Sequence, residues 1–287
     1  MDSRHPLVKD RFCRALLRFV KWQVLSRLSP GDHIVNWIGD VKFYVRSGET
    51  GLTQNIYVGL SEFKDMGFLL HLLREGDDFI DIGANSGSYT LLASSFSQAK
   101  CLSIEPVEST FRRLTANLEL NRVGHLVHAV NLAVGSSKGF LRMTTNSNTT
   151  NRVILDKHEV EGILIETTTL DDLTLNINPI IIKIDVEGWE LEVLKGAEMT
   201  LQKKSLVAII LEMNGSGNRY GASGDEILDM LHKLGFEPHE YDPISRELKK
   251  LEGQDLKYAN TLFLKNLEFV RERIYFGPTL NIVGKHF

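Results

Sequence analysis

The chain has 287 residues, 43% of them hydrophobic and 24% charged, with a formal charge of -4. That composition supports one large domain or a domain with appendages, and the negative balance argues against a nucleic-acid binder relying on phosphate contacts. Cys13 and Cys101 form no metal-binding spacing and no disulfide framework, no apolar run approaches the ~18 residues of a membrane span, and no leader sequence follows Met1, so a cytoplasmic protein is expected.

Residues from about Pro6 to Leu28 read as a helix, which Ser29-Pro30-Gly31-Asp32 ends. Phe12, Leu16, Phe19 and Val20 gather on one side, and Arg11, Arg14, Arg18 and Lys21 fall largely on another. A basic amphipathic helix of this kind can lie on an anionic membrane surface, or pack against the rest of the chain or a partner. From Ile34 to Tyr57 the alternation of Val41, Phe43 and Val45 suggests short strands. Residues 1–56 are accordingly expected to form an N-terminal helix with a small β extension, and 57–287 the main domain. Phe63 to Leu73 has helical spacing, with Phe68, Leu69 and Leu72 on its core face.

Phe79 to Leu92, FIDIGANSGSYTLL, reads as a buried strand, a glycine turn and a helix start. A turn from the carboxyl end of a parallel strand into a helix N-terminus is where open α/β sheets bind nucleotide-like ligands. The dinucleotide fingerprint G-x-G-x-x-G fails, because Asn85 and Ser88 stand in its second and third glycine places; a P-loop fails for want of G-K-[ST]. What stands here is Asp81-x-Gly83-x-Asn85-x-Gly87, with Ala84 inside it. It resembles the first motif of class I S-adenosylmethionine methyltransferases. The donor carries no phosphate, so the turn need only fit a zwitterionic amino-acid tail and a sulfonium.

Cys101-Leu-Ser-Ile-Glu105-Pro106 is a second apolar strand ending in an acid about 20 residues beyond the turn, where a carboxylate can accept from both ribose hydroxyls. The same position suits a carboxylate that caps the helix after Pro106, Val107 to Asn121. A third strand, Val127 to Val134, brings Asn131 and Ala133 toward the adenine side. The polar stretch Thr144 to Asn151 suggests a loop over an acceptor site or a plain surface connection, and Ile163 to Leu170 another strand closed by Asp171 and Asp172.

Ile180 to Ile184 is a β-branched run expected to be buried on both faces. It leads into Asp185 and Glu187, two residues apart and so on one side of an extended chain, then a glycine turn and a helix from Leu191. Leu206 to Met213 is the fifth core strand, with Glu212 and Asn214 at its end. A helix from Gly221 to Leu234 capped by Ser223, and a terminal antiparallel pair, Phe236–Tyr241 with Ala259–Lys265, complete a seven-stranded α/β sheet with helices on both faces. The charged segment Ser245 to Lys257 reads as their connection, and the tail after Asn266 is weakly patterned.

The succession FIDIGANSGSYT, IEPVESTFRRLTANLELNR, LAVG, KIDVEGWELEVLKGA and LEMN resembles the FkbM family of S-adenosylmethionine-dependent methyltransferases, over roughly Tyr57 to Lys265. The KIDVEG-x-E-x-x-VLKGA run is its most characteristic part; Trp189 departs from the small residue common at that place. The resemblance implies a Rossmann-like class I fold and methyl transfer to a hydroxyl of a sugar, glycan or secondary metabolite. It places Asp81, Gly83, Ala84, Asn85 and Gly87 on the methionine side of the cofactor. Glu105 and Pro106 fall at the ribose, and Asn131 and Ala133 near the adenine. Asp185, at the strand end nearest the methyl, is the first candidate for general base and also borders the cofactor; Glu187 and Glu212 are second and third. No metal is assigned, although Asp185, Glu212 and Asn214 would offer three oxygens similar to those of Mg-dependent catechol-type O-methyltransferases. The expected partner is a small-molecule or glycan acceptor. The competing readings are a non-catalytic protein of the same fold and a nicotinamide oxidoreductase; the intact glycine turn opposes the first, and Asn85 with Ser88 the second.

Overall fold

A computed structural model of the chain describes residues 5–9, 12–29, 31–46, 50–144, 151–154, 162–255 and 259–287, and of residues 50 and 51 the backbone alone. Its central sheet is built from β1 (Asp78–Ile82), β2 (Lys100–Ile104), β3 (Val127–Val130), β4 (Pro179–Ile184), β5 (Ala208–Glu212), β6 (Glu237–Asp242), β7 (Glu247–Lys250) and β8 (Asn260–Leu264). They lie in the order β7-β6-β8-β5-β4-β1-β2-β3. The first five strands pair in parallel, while β8 pairs antiparallel to both β5 and β6, and β7 antiparallel to β6. The chain leaves β1 toward β2 on one side and returns to β4 on the other. The carboxyl ends of β1 and β4 therefore flank the crevice of a topological switch point, where such sheets bind ligands.

The sheet thus has eight strands and not the expected seven. The extra one is β7, inside the segment read as a connection; its Glu-Leu-Lys-Lys sequence is charged because it is an edge, where charge discourages further pairing. Alternation along β1 sends Phe79 and Asp81 to one face and Ile80 and Ile82 to the other. On the first face Phe79, Ile181 and Leu262 pack under α3 (Phe63–Leu72), α4 (Ser88–Phe96) and α5 (Glu108–Leu120). On the second, Ile80, Ile182 and Leu211 meet the helices Glu190–Lys195 and Gly224–Lys233. Ser223 caps the latter helix as expected, accepting from the Glu226 N–H at 3.1 Å. A separate four-stranded sheet, of Ala133–Val134, Ile163–Thr168, Gly139–Met143 and Val153–Ile154, stands beside the carboxyl ends of the central strands.

The amino-terminal part differs most from expectation. The helix α1 spans Phe12–Leu28, and the inner side is carried by Ala15, Trp22 and Ser26, with Phe19 half-buried beside them; Phe12, Leu16 and Val20 face outward. Two short strands, His33–Asn36 and Lys42–Val45, pair antiparallel. Residues up to Tyr57 are not strand throughout: α2 (Thr50–Val58) is a helix and crosses the expected boundary at 56/57. Phe19 packs edge-on against Tyr57, with ring centroids 5.1 Å apart. Asp171 and Asp172 begin a helical turn, Leu170–Leu173, instead of ending a strand, with Thr169 as its cap. The tail is also ordered. A helix, Leu267–Tyr275, packs on α3, and Asn281–Ile282 pairs with Lys285–His286. Arg246 fastens this tail by donating to the carbonyls of Ile274, Tyr275 and Gly277 at 2.8–3.0 Å. Lys285 Nζ donates to the Pro6 carbonyl at 3.0 Å, so the two ends of the described chain meet.

Asn117, fully buried on α5, joins the extension to the glycine turn. Its Nδ2 donates to the Ser86 carbonyl at 2.9 Å and its Oδ1 accepts from the Tyr44 N–H at 2.8 Å. Asn117→Ala strands two backbone groups, so a loss of about 2–4 kcal/mol is expected, read as a lower urea midpoint at unchanged slope.

Candidate active site

The β1–α4 turn is shaped by backbone constraints. Gly83 has φ +78°, and a Cβ there would sit 1.9 Å from the Asp185 carbonyl oxygen; the tops of β1 and β4 touch at this point. The Asp185 N–H donates to the Ile82 carbonyl at 3.0 Å, and Gly83 and Ala84 N–H to the Ile104 carbonyl at 3.0 and 2.9 Å. Asn85 adopts φ +51°, and its N–H points at Glu105 Oε2, 3.0 Å away. Glu105 Oε1 accepts from the Val107 N–H at 2.9 Å. Glu105 therefore both closes the glycine turn and caps α5, which are the two roles its position allowed. At 6% exposure, burial lifts its pKa to about 7 against the opposing pull of those two N–H groups.

Asp81 lies in register with Lys183 on β4 and Ser103 on β2. Its Oδ2 accepts from the Thr90 N–H at 3.1 Å and hydroxyl at 2.7 Å, while the buried Oδ1 has no partner among the described residues. Lys183, 3% exposed, donates to Asp185 Oδ2 at 2.6 Å and stands 4.8 Å from the centroid of the Tyr89 ring. Burial alone would lower its pKa; Asp185, Glu62 and Asp81 more than reverse that and hold it above the ordinary lysine range. The Tyr89 hydroxyl donates to Glu62, which also accepts from Asn260 Nδ2 at 3.1 Å.

One oxygen each from Asp185, Glu187 and Glu212 falls within 4.8 Å of the others. The pleat does not bring Asp185 and Glu187 together, because β4 ends at Ile184. Glu187 sits in a left-handed turn, φ +55°, which Glu190 braces by accepting from the Gly188 N–H at 3.0 Å and the Val186 N–H at 3.3 Å. A β-free conformation forced on a non-glycine residue is commonly a functional-site feature. Burial and the Asp185 charge lift Glu187 to about 7, and burial with Asp185 and Glu187 lifts Glu212 to about 9. Burial and mutual repulsion thus disfavour the ionised forms of Glu187 and Glu212. The same grouping would suit a hard divalent cation. Asn214, however, is not part of it: the residue is exposed, and its Oδ1 accepts from the Ser216 N–H at 2.8 Å.

These groups border one cavity of about 340 Å³ at the switch point. Asp81, Gly83, Ala84, Asn85, Glu105 and Pro106 line it. So do Ala133, Asp185, Glu187 and Glu212. Gly87 lies behind the wall, packed against Leu114. Asn131 is exposed and outside it; its Nδ2 holds the carbonyls of Glu105 and Pro106 at 2.8 and 3.0 Å, and Leu132 takes the wall position. Trp189 forms part of the outer wall, edge-on to Tyr220 at 5.1 Å, and the Tyr220 hydroxyl donates to the Val153 carbonyl at 2.9 Å. The polar Thr144 to Asn151 stretch contributes Asn151; residues 145–150 lie outside the described residues.

Sequence reasoning missed several lining residues, among them Leu52, Asn55, Glu62, Tyr89 and Lys183. Leu52 and Asn55 come from α2, which was read as strand although Leu52, Ile56 and Leu60 have helical spacing; Glu62 and Tyr89 carried no local motif.

An open, mostly parallel sheet with an acid-lined crevice at its switch point is the Rossmann-like methyltransferase architecture. The chain matches the model of the methyltransferase FkbM domain over residues 81–238, more than half its length, and belongs to that family. It is similar to the hexuronic acid methyltransferase AglP of Haloferax volcanii, 32% identical over 145 residues that make up 49% of this chain and 58% of the relative. Among solved structures it is similar to a methyltransferase FkbM from Methylobacillus flagellatus KT (16% identity, TM-score 0.46, 75% of this chain and 52% of that one). A further likeness is to M. capricolum TrmK with S-adenosylhomocysteine (9% identity, TM-score 0.39, 70% and 68%).

The Glu105 carboxyl yields a pH test. Its folded pKa of about 7 lies above the ordinary 4.5, so folding favours the protonated form. That contribution is complete below pH 4.5 and is lost as pH rises through about 7, a decline of roughly 3 kcal/mol for this group. Urea unfolding of the ligand-free protein across that window is expected to show the decline, and Glu105→Gln to flatten it.

Proposed function

We propose that the protein transfers a methyl group from S-adenosylmethionine to a hydroxyl of a sugar or glycan. The observation that carries this reading is the convergence of Asp185, Glu187 and Glu212 on the switch-point cavity of a chain in this family. A sugar acceptor is supported by the likeness to the hexuronic acid methyltransferase of Haloferax volcanii.

The residues present fit that donor. Lys183 is the one cation among the described residues lining the cavity, against six carboxylates: Glu62, Asp81, Glu105, Asp185, Glu187 and Glu212. Such a wall complements a cationic amine and sulfonium and offers nothing to a phosphate. Asp81 Oδ1, buried and without a partner among the described residues, can accept from the donor's amine. Glu105 keeps lone pairs on both oxygens for ribose hydroxyls, and Leu132, Val107 and Ile104 give an apolar wall for a base. When bound, S-adenosylmethionine supplies an electrophilic methyl on a sulfonium.

The remaining work is positioning and proton removal. Asp185 is fixed at the end of β4 through Lys183, and is the proposed acceptor of the hydroxyl proton. Lys183 counters the charge on the carboxylate before that proton arrives. Glu187, near 7, is the second candidate base. Glu212 holds its proton at neutral pH and acts as a donor that orients the acceptor oxygen. Trp189, backed edge-on by Tyr220, forms the outer wall against which the acceptor packs.

Calorimetry is expected to show binding of S-adenosylmethionine and none of NAD; the reverse result would refute the reading. Glu105→Ala is expected to weaken donor binding by about 1–3 kcal/mol. Asp185→Asn is expected to leave donor affinity near that of the parent while lowering turnover by about 10²–10⁴. If instead Asp185→Asn turns over normally and Glu187→Gln does not, the base is Glu187.

A further inference from the structure

The helix α1 presents an outward surface that the catalytic reading leaves unused. Phe12, Leu16, Val20, Val24 and Leu28 recur every fourth residue and form an outward apolar band, ~24 Å long and winding ~160° around the axis, to which Leu17 adds. These side chains are 39–80% exposed. Seven of the 17 large apolar side chains exposed among the described residues sit on this one helix. The inner side is occupied by Ala15, Trp22 and Ser26, so the band cannot turn inward without expelling them.

Charge on the helix runs against that of the whole chain. Phe12–Leu28 carries Arg14, Arg18, Lys21 and Arg27 and no acid, within a chain of net charge -4. Arg14 and Lys21, both exposed, stand seven residues apart along one flank of the band with the half-buried Arg18 between them, and none of the three forms an ion pair among the described residues. An apolar face rimmed by cations matches the boundary between lipid chains and anionic headgroups. A second copy of the chain is a poorer complement, since helix against helix would set cations against cations with no acid on either. We propose that this face of α1 docks the protein on an anionic lipid surface. The dock also lies close to the chemistry: α1 packs on α2, and α2 supplies Leu52, Gln54 and Asn55 to the cavity wall.

The test is co-sedimentation of the full chain with phosphatidylcholine vesicles, with and without phosphatidylglycerol. It needs no methyl transfer, so its failure and the failure of the catalytic reading are separable. The parent is expected to sediment with the anionic vesicles and far less with the neutral ones. Leu17→Glu with Val24→Glu, both outward-facing, is expected to lower the bound fraction at least about tenfold at an unchanged thermal midpoint. Arg14→Glu with Lys21→Glu leaves the band intact, and is expected to weaken binding to anionic vesicles as added salt does in the parent. A parent that stays in the supernatant with both vesicles overturns the proposal, as does retention of binding by both double variants. A doubling of mass without vesicles, abolished by Leu17→Glu with Val24→Glu and accompanied by no vesicle binding, also overturns it and makes the face an interface between copies.

Discussion

Lys183 is the charge around which the crevice is organised. It is buried on the sheet face beneath Tyr89, in register with Asp81 and bonded to Asp185. Without it, carboxylates from β1, β4, β5 and α3's approach would face one another across a few ångströms in a setting that screens poorly. A buried ammonium is tolerated only where partners repay its desolvation, and here the acids do so. The parallel alignment of β1 with β4 is what sets the lysine beside Asp81, and the Gly83 contact with the Asp185 carbonyl fixes how closely the strand tops approach.

The acids that remain are held away from their ordinary state. Glu105, Glu187 and Glu212 are all pushed upward, chiefly by burial. A protein tuned only for stability would not retain them at one sheet edge. Their cost is met by the rest of the fold: two thick apolar layers, and polar braces such as Glu190 under its turn and Asn117 behind the glycine loop. Function at this edge thus rests on packing far from it.

What the sequence disclosed follows from how local each signal is. The strands β1, β2, β4 and β5 are short β-branched or apolar runs with glycine or proline at their ends, and their motifs landed on one cavity because a parallel sheet collects its carboxyl ends on one side. The α2 helix was hidden by Thr50, Gly51 and Gly59, residues that weaken a helical pattern which tertiary packing restores. β7 was hidden by its charge, since an edge strand carries little apolar alternation. The convergence of Asp185 with Glu187 was foreseen for a reason that does not hold: the turn conformation and Glu190 bring them together, and backbone dihedrals of that kind are not written in spacing. Asn131 illustrates the opposite case, a polar residue at a plausible position whose amide is spent on two carbonyls.

The contact between residues 6–8 and 280–287 bears on the order in which the fold assembles. Leu7 and Val8 are buried in a cluster that includes Leu280, Ile282 and Phe287, and Pro6 is bonded from Lys285. Contacts between segments this far apart in sequence carry a large loop-closure cost, so this clasp is expected to close after the more local contacts have formed.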